Sequence, residues 1–166
     1  MNGIIAAVFW ASSLLSVNLL QDDVLKKTSS SGRQTMNLSL VQFQKETVGS
    51  ELGYSYTAPI SYGPFQPSYA VSITDQRGVW FGGGFSNIFM LSEKDFVSLS
   101  FIPGIYSEGN DEDLGGWLMF RSGIEFGRYL SESWIASVSY DHRSSGDLWV
   151  YNPGMETIQF RLGRIL

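Results

Sequence analysis

The chain contains a single histidine, His142, with a serine and a glutamate nearby in the sequence. Ser144 follows His142 by two residues, and Glu156 follows it by fourteen. A serine hydroxyl becomes an effective nucleophile when a neighbouring base takes its proton, and the base works best when a third group fixes its tautomer. His142, Ser144 and Glu156 supply one candidate for each role. Serine and glutamate are common residues, however, and the same spacing also arises by chance.

The local structure predicted around these residues can bring them together. On a β-strand, residues two apart point to the same face, so Ser144 can reach His142 without a special loop. Glu156 reaches His142 only if the chain returns in a hairpin. Residues 145–147 (Ser-Gly-Asp) and 152–154 (Asn-Pro-Gly) are turn formers that can build this hairpin.

The composition is typical of a single β-domain with part of its surface in lipid. Of the 166 residues only 16% are charged, whereas 14% are aromatic and 18 residues are glycine. The formal net charge of -5 provides no basic surface for nucleic acid. The lack of cysteine excludes disulfides and thiolate chemistry, and the single histidine argues against a zinc site. We therefore expect neither a metal nor a nucleic-acid partner.

Three segments follow one another along the chain. Residues 1–20 are apolar and uncharged after the N-terminus, which predicts a signal peptide or another apolar N-terminal segment. Residues 21–35 are polar and serine-rich, which is typical of a mobile lead-in. From residue 36 to residue 166, stretches of alternating apolar and polar residues are separated by turn formers, so this segment is the predicted folded domain.

The alternating stretches predict an all-β domain of eight antiparallel strands. No ten-residue helical stripe interrupts them, and each strand has one apolar face and one polar or small face. Eight such strands are typical of a closed up-and-down β-barrel. The predicted strands lie near residues 37–44, 51–58, 68–75, 79–85, 97–101, 118–127, 133–141 and 157–163.

Whether the apolar or the polar face of the strands points inward decides whether this barrel is soluble or lies in a membrane. In a soluble lipocalin-like carrier the apolar residues point inward, whereas in an outer-membrane barrel they point outward to lipid. Strands of about ten residues match a tilted membrane crossing, and tryptophans can anchor at the membrane interface. We therefore predict an outer-membrane barrel, with paired charges inside from Arg121, Glu125, Asp141 and Arg161, and with interface anchors at Trp80, Trp117, Trp134 and Trp149.

The connections and the parity of the strands place the candidate residues. If the first strand runs outward, residues 107–114 and 145–153 form outside loops, and residues 91–95 and 129–132 form short inner turns. His142, Ser144 and Glu156 then lie at the outer end and continue the apolar stripes of the last two strands. A carboxylate near hydrocarbon is costly unless it is paired, and pairing with the histidine offsets that cost. The implied substrate is a lipid ester of the outer leaflet, although ordinary rim residues above the hydrocarbon boundary remain the alternative.

The same stretch resembles a known family. Residues 142–148 (HRSSGDL) and 152–156 (NPGME) are similar to the signature of the outer-membrane lipid A 3-O-deacylases, which carry His-x-Ser-Asn and then Asn-x-Gly-hydrophobic-Glu at the same spacing. Residues 113–120 (DLGGWLMF) and Ile124 also resemble the sixth strand of that family.

The resemblance implies a reaction and a role for each residue. Ser144 would be the nucleophile, His142 the general base and Glu156 its orienting partner, in a serine esterase that hydrolyses the 3-position ester of lipid A. The lipopolysaccharide substrate would lose a 3-hydroxy fatty acid without any cofactor. Ser145 stands where the family has asparagine, so the oxyanion donors stay open among the N–H groups of Ser145 and Gly146 and the amide of Asn152.

The sequence is also compatible with two functions other than catalysis. The chain could be a non-enzymatic outer-membrane barrel with a structural or adhesive role, or a soluble lipocalin-like carrier. For the enzyme, we expect a groove on the barrel exterior to read the acyl chain, with Trp134, Tyr140 and Phe160 as its lining. A homodimer is a further option that the sequence leaves open.

Overall fold

The computed structural model describes residues 4–16 and 26–166. An apolar run at the N-terminus forms a helix, and the alternating stretches form strands, as their periods require. The elements are α1 (Ile4–Ser16), β1 (Lys27–Ser29), β2 (Arg33–Phe43), β3 (Glu46–Thr57), β4 (Ile60–Tyr62), β5 (Gln66–Thr74), β6 (Val79–Met90), β7 (Asp95–Ser107), β8 (Leu118–Tyr129), β9 (Trp134–Ser144) and β10 (Met155–Ile165).

Eight of these strands form a closed antiparallel barrel. The order around the barrel is β2, β3, β5, β6, β7, β8, β9 and β10, and β10 closes the circle by pairing with β2. Consecutive barrel strands are therefore neighbours throughout, which confirms the predicted eight-stranded up-and-down barrel. Closure leaves no unpaired edge, as a strand protein in a membrane requires.

Side chains alternate along each barrel strand, so that polar residues point into the lumen and apolar residues point to the exterior. Along β2, Thr35, Asn37 and Ser39 are buried in the lumen, whereas Met36 and Leu38 between them are exposed on the outside. This arrangement is the one found in outer-membrane barrels, where lipid covers the outward apolar side chains. It is the reverse of a soluble carrier with an apolar interior, so that alternative is wrong.

Ion pairs fill the lumen. Arg121 forms salt bridges with Asp141 at 2.8 Å and with Glu51 at 2.9 Å, and Arg143 pairs with the second carboxylate oxygen of Glu51 at 2.5 Å. Glu125 pairs with Arg33 at 2.5 Å and with Arg161 at 3.6 Å. A buried charge is tolerated when it is paired and hydrogen-bonded. The predicted pairing of the four lumen charges is therefore observed, with three further partners.

Trp80 belongs to this lumen, so its prediction as an interface anchor is wrong. The ring is fully buried, and the guanidinium carbons of Arg121 and Arg143 lie 5.2 and 5.6 Å from its centroid. The cause is the parity of β6, because Val79 and Phe81 on either side take the exterior positions. Trp117 and Trp134, by contrast, are exposed by 57% and 45%.

The segment before the predicted barrel also contributes strands. β1 pairs with β4 in a small separate sheet. β2 begins at Arg33, three residues before the predicted start of the domain at residue 36. The polar composition of this stretch reflects a lumen position, since Arg33 bonds Glu125 across the barrel. Residues 17–25 lie outside the described residues, and they include residues 21–25 of the predicted lead-in.

Helix α1 lies on the barrel exterior against β7 and β8. Phe9 is fully buried there and stacks on Phe101, with ring centroids 6.1 Å apart. The hydroxyl of Ser13 shares a hydrogen bond with the side-chain amide of Asn87. Among the described residues, no helix is long and apolar enough to cross a membrane. The assignment of residues 1–20 as a signal peptide remains a prediction, and residues 1–3 and 17–20 lie outside the described part.

The two ends of the barrel differ. We call the end that carries the connections 44–45, 75–78, 108–117 and 145–154 the loop end. The other end, the terminal end, carries the start of β2, the end of β10, and the short connections 91–94 and 130–133, together with β4. The β9–β10 connection lies at the loop end, and with it the candidate residues of the two strands.

Candidate active site

Strand pairing brings His142 and Glu156 face to face. They are directly opposed partners across β9 and β10, and Nδ1 of His142 lies 3.1 Å from Oε1 of Glu156. Both side chains belong to the exterior faces of their strands, yet His142 is only 3% exposed. An ionised carboxylate accepts a hydrogen bond from Nδ1–H, which leaves the lone pair of the imidazole on Nε2. The pair can therefore present a base with a defined tautomer.

Ser144 lies two residues further along β9, at its last position. It is buried and lines the same cavity as His142. Nε2 of His142 is buried and has no hydrogen-bond partner within residues 4–16 and 26–166. Ser144 thus shares a cavity with this nitrogen but forms no hydrogen bond with it. In unliganded sites the contact between a nucleophile and its general base often tightens only when substrate binds.

The cavity lies on the exterior wall between β7, β8 and β9. Its volume is about 290 Å³. One side is formed by Phe101 and Phe120, whose stacked rings have centroids 5.7 Å apart, and Ala6 of α1 forms another part. The remaining lining residues are Ser122, His142, Ser144, Gly146, Asp147 and Asn152. The cavity thus combines an apolar wall with the candidate catalytic groups.

This position differs from the groove that we expected. None of Trp134, Tyr140 and Phe160 lines the cavity. Trp134 begins β9 at the terminal end, far from His142, and Phe160 pairs with Val138 in the middle of the wall. These three residues therefore do not line the cavity at His142, and a groove along them for the acyl chain stays a prediction.

The connection between β9 and β10, residues 145–154, is held by Asn152. Its Oδ1 accepts a hydrogen bond from the Ser145 N–H at 2.9 Å, and its Nδ2 donates to Oδ1 of Asp147 at 2.9 Å. Two of the three candidate oxyanion donors are thus engaged within the loop. Gly146 lines the cavity in a left-handed conformation, with φ of 62°, and its N–H has no partner among the residues described.

Two residues near the imidazole received no role from the sequence. Ser122 is the directly opposed partner of His142 across β8 and β9 and lines the cavity. The sequence contained a signal for Ser122, because it is the one polar residue between Leu118 and Phe126 at the alternate positions that point outward. Gly154 lies against the imidazole in a left-handed conformation, with φ of 73°. Within the described ranges, no three His, Asp or Glu side chains are grouped as metal ligands.

The closed barrel and its polar lumen define this chain as a small outer-membrane β-barrel protein. Residues 36–164 match the family model described as lipid A 3-O-deacylase (PagL), and the chain belongs to that family. The family and the barrel place the protein in the bacterial outer membrane.

Solved structures agree with this fold. The crystal structure of the outer membrane enzyme PagL is 16% identical, with a TM-score of 0.60 over 79% of this chain and 97% of that one. A de novo designed transmembrane β-barrel superimposes with a TM-score of 0.62 at 5% identity, over 84% of this chain and 98% of that one. At such low identity these matches bear on the fold alone. No curated protein sequence matches the chain significantly.

Proposed function

We propose that this protein is a lipid A 3-O-deacylase that works as a serine esterase. The observation that carries the proposal is the contact between His142 Nδ1 and Glu156 Oε1, at 3.1 Å, on the outward face of the barrel, where His142 and Ser144 line one cavity. Membership in the deacylase family supports the same reaction. The substrate is lipid A within lipopolysaccharide, and the product is a 3-hydroxy fatty acid.

The chemistry follows from the roles of the three side chains. Nε2 of His142 takes the proton of the Ser144 hydroxyl while its oxygen attacks the ester carbonyl carbon. Glu156 stabilises the imidazolium that forms. When the tetrahedral intermediate collapses, the bond to the 3-position oxygen breaks and His142 returns the proton to that oxygen. Water then attacks the acyl-enzyme with the help of His142, and the fatty acid leaves while Ser144 is restored.

The developing negative charge on the carbonyl oxygen needs a donor. Gly146 is the best candidate in this arrangement, because its N–H lacks a partner and its residue lines the cavity. The Ser145 N–H and the Asn152 amide instead bond within the loop, which supports a positioning role for them. One oxyanion donor typically contributes about a hundredfold or more in rate.

The location on the exterior wall suits a substrate that stays in the membrane. A lipid can diffuse sideways to this wall, so its ester reaches Ser144 without extraction into water. The rings of Phe101 and Phe120 provide an apolar surface for the acyl chain next to that ester. The low dielectric of this environment also strengthens the pairing of Glu156 with the imidazolium.

The test is hydrolysis of lipopolysaccharide by the purified protein in detergent, with released 3-hydroxy fatty acid measured by mass spectrometry. We expect Ser144→Ala to abolish release while the barrel stays folded. Ser133→Ala, which removes the same hydroxyl from the β8–β9 turn at the terminal end, is the matched control and should keep full activity. Release retained in Ser144→Ala would exclude Ser144 as the nucleophile. A folded wild-type protein without any release would instead favour a structural or adhesive barrel.

A further inference from the structure

The two long connections at the loop end interlock. We call residues 145–154 the site loop and residues 108–117 the support loop. A Cβ atom at Gly116 would lie 2.1 Å from Nε1 of Trp149, so the indole of the site loop rests directly on this glycine. A Cβ atom at Gly115, where φ is +88°, would lie 1.8 Å from the backbone oxygen of Tyr151. The support loop thus fits the site loop only with glycine at both positions.

The support loop is itself anchored on both sides of the two glycines. Leu114 is only 1% exposed and packs in the apolar cluster that includes Met119 and Met155 at the mouth of the barrel. Asp113 accepts a hydrogen bond from the Gly115 N–H at 2.7 Å. The Tyr106 N–H donates to the carbonyl of Trp117 at 2.8 Å. The glycines therefore sit on a fixed base and not on a free tip.

The site loop links its contacts with Gly115 and Gly116 to the side chains of Ser144 and His142. Its first residue, Ser145, follows Ser144 directly and bonds Asn152 through its backbone N–H. Its last residue, Gly154, lies against the ring of His142, since a Cβ atom there would be 2.8 Å from Cε1. Trp149 and Tyr151 are the points between these ends that the support loop holds.

We propose that Gly115 and Gly116 are positioning residues for the reaction, acting through Trp149 and Tyr151 on the geometry around Ser144 and His142. This inference rests on the proposed esterase function. A displacement of about 1 Å at a reacting group can cost about a hundredfold in rate. Adding a methyl group to either glycine should therefore lower kcat, with a smaller effect on KM, because the lipid-binding wall on β7 and β8 is not altered.

The experiment compares Gly115→Ala and Gly116→Ala with Gly109→Ala. Gly109 lies in the same support loop and has a φ of +61°, and a Cβ atom there would lie 2.5 Å from the carbonyl oxygen of Arg77. Its substitution therefore strains the same loop, but against the β5–β6 turn and away from the site loop. We expect kcat to fall about tenfold or more in the two former variants and by less than threefold in Gly109→Ala.

A second readout is independent of turnover. Since His142 is the only histidine, its imidazole gives one set of NMR signals from the specifically labelled protein. We expect Gly116→Ala to shift these signals although residue 116 does not touch the ring, and Gly109→Ala to leave them unchanged. Trp149→Leu removes the indole that the new methyl group meets, so Gly116→Ala should have little further effect in that background, whereas Gly115→Ala should keep its effect.

The outcomes separate the two proposals. Equal losses of kcat and equal NMR shifts in Gly109→Ala and Gly116→Ala would mean that the support loop merely stabilises the rim, and would overturn the inference. Unchanged kcat and signals in Gly115→Ala and Gly116→Ala would overturn it as well. If the wild-type protein releases no fatty acid but Gly116→Ala alone shifts the His142 signals, the esterase function fails while the coupling between the loops stands.

Discussion

The Cα atom of Gly154 lies against the imidazole of His142, so closely that a Cβ atom there would be 2.8 Å from Cε1. Gly154 also has a φ of +73°, a conformation that is strained for any other residue. The end of the β9–β10 connection thus forms one wall of the histidine's site. Glu156, two residues later, forms the contact on Nδ1. One short segment therefore fixes the imidazole from two sides.

Gly154→Ala should lower the rate of deacylation by about ten- to a hundredfold, because the methyl group displaces the ring from the geometry that accepts the serine proton. A non-glycine residue in the left-handed conformation also costs roughly 1–2 kcal/mol in stability. Gly63→Ala is the matched control, since Gly63 has a φ of +57° in the β4–β5 connection at the terminal end. Initial rates and unfolding midpoints of both variants check the prediction. Equal rates in the two variants would contradict it.

Glu156→Gln should lower kcat by about a hundred- to ten-thousandfold while the barrel stays folded. The amide has nearly the same shape, but it lacks the charge that stabilises the imidazolium, and it can select the wrong tautomer by offering its N–H to the ring. Glu46→Gln is the control, because Glu46 is an exposed carboxylate at the same end of the barrel. A normal kcat for Glu156→Gln in lipopolysaccharide hydrolysis would remove Glu156 from the mechanism.

Ser122 and Ser144 provide two hydroxyls in one cavity, and their roles can be separated. A serine-reactive fluorophosphonate should label wild-type protein at Ser144, as peptide mass spectrometry can establish. Ser122→Ala should keep the label and at least a tenth of the activity, whereas Ser144→Ala should lose both. If the probe labels Ser122, or if Ser122→Ala loses the label, the nucleophile is Ser122 and not Ser144. Ser122 is a real competitor because it is the directly opposed neighbour of His142.

The barrel and the face of the site are readable from the sequence for one physical reason. Lipid outside and paired charges inside impose a strict period of two, so His142, Ser144 and Glu156 could be placed on the outward stripe from their even numbers alone. The ends of the last two strands were also predictable, because the turn formers at 145–147 and 152–154 border the site.

Register and long-range partners could not be deduced in this way. Whether Glu156 meets His142 or slips past it depends on the shape of the site loop, which rests on Gly115 and Gly116 more than thirty residues earlier. The engagement of the Ser145 N–H by Asn152 is likewise a property of the folded loop. Trp80 was misplaced because a large aromatic was expected at the interface, whereas two arginines in the lumen accommodate its ring.

Breaking the ion pairs in the lumen should lower the stability of the barrel and leave the deacylase rate unchanged. Glu51 pairs with both Arg121 and Arg143 and is 1% exposed, so Glu51→Gln leaves two buried guanidinium groups short of a counter-charge. Removal of one partner from a buried ion pair costs about 3–5 kcal/mol, so urea unfolding in detergent should show a loss of this order. Glu132→Gln, an exposed carboxylate in the β8–β9 connection, should show no loss. The folded fraction of Glu51→Gln should retain its deacylase rate, because the site lies on the opposite side of the wall. A selective loss of kcat at unchanged stability would instead tie the lumen charges to the reaction.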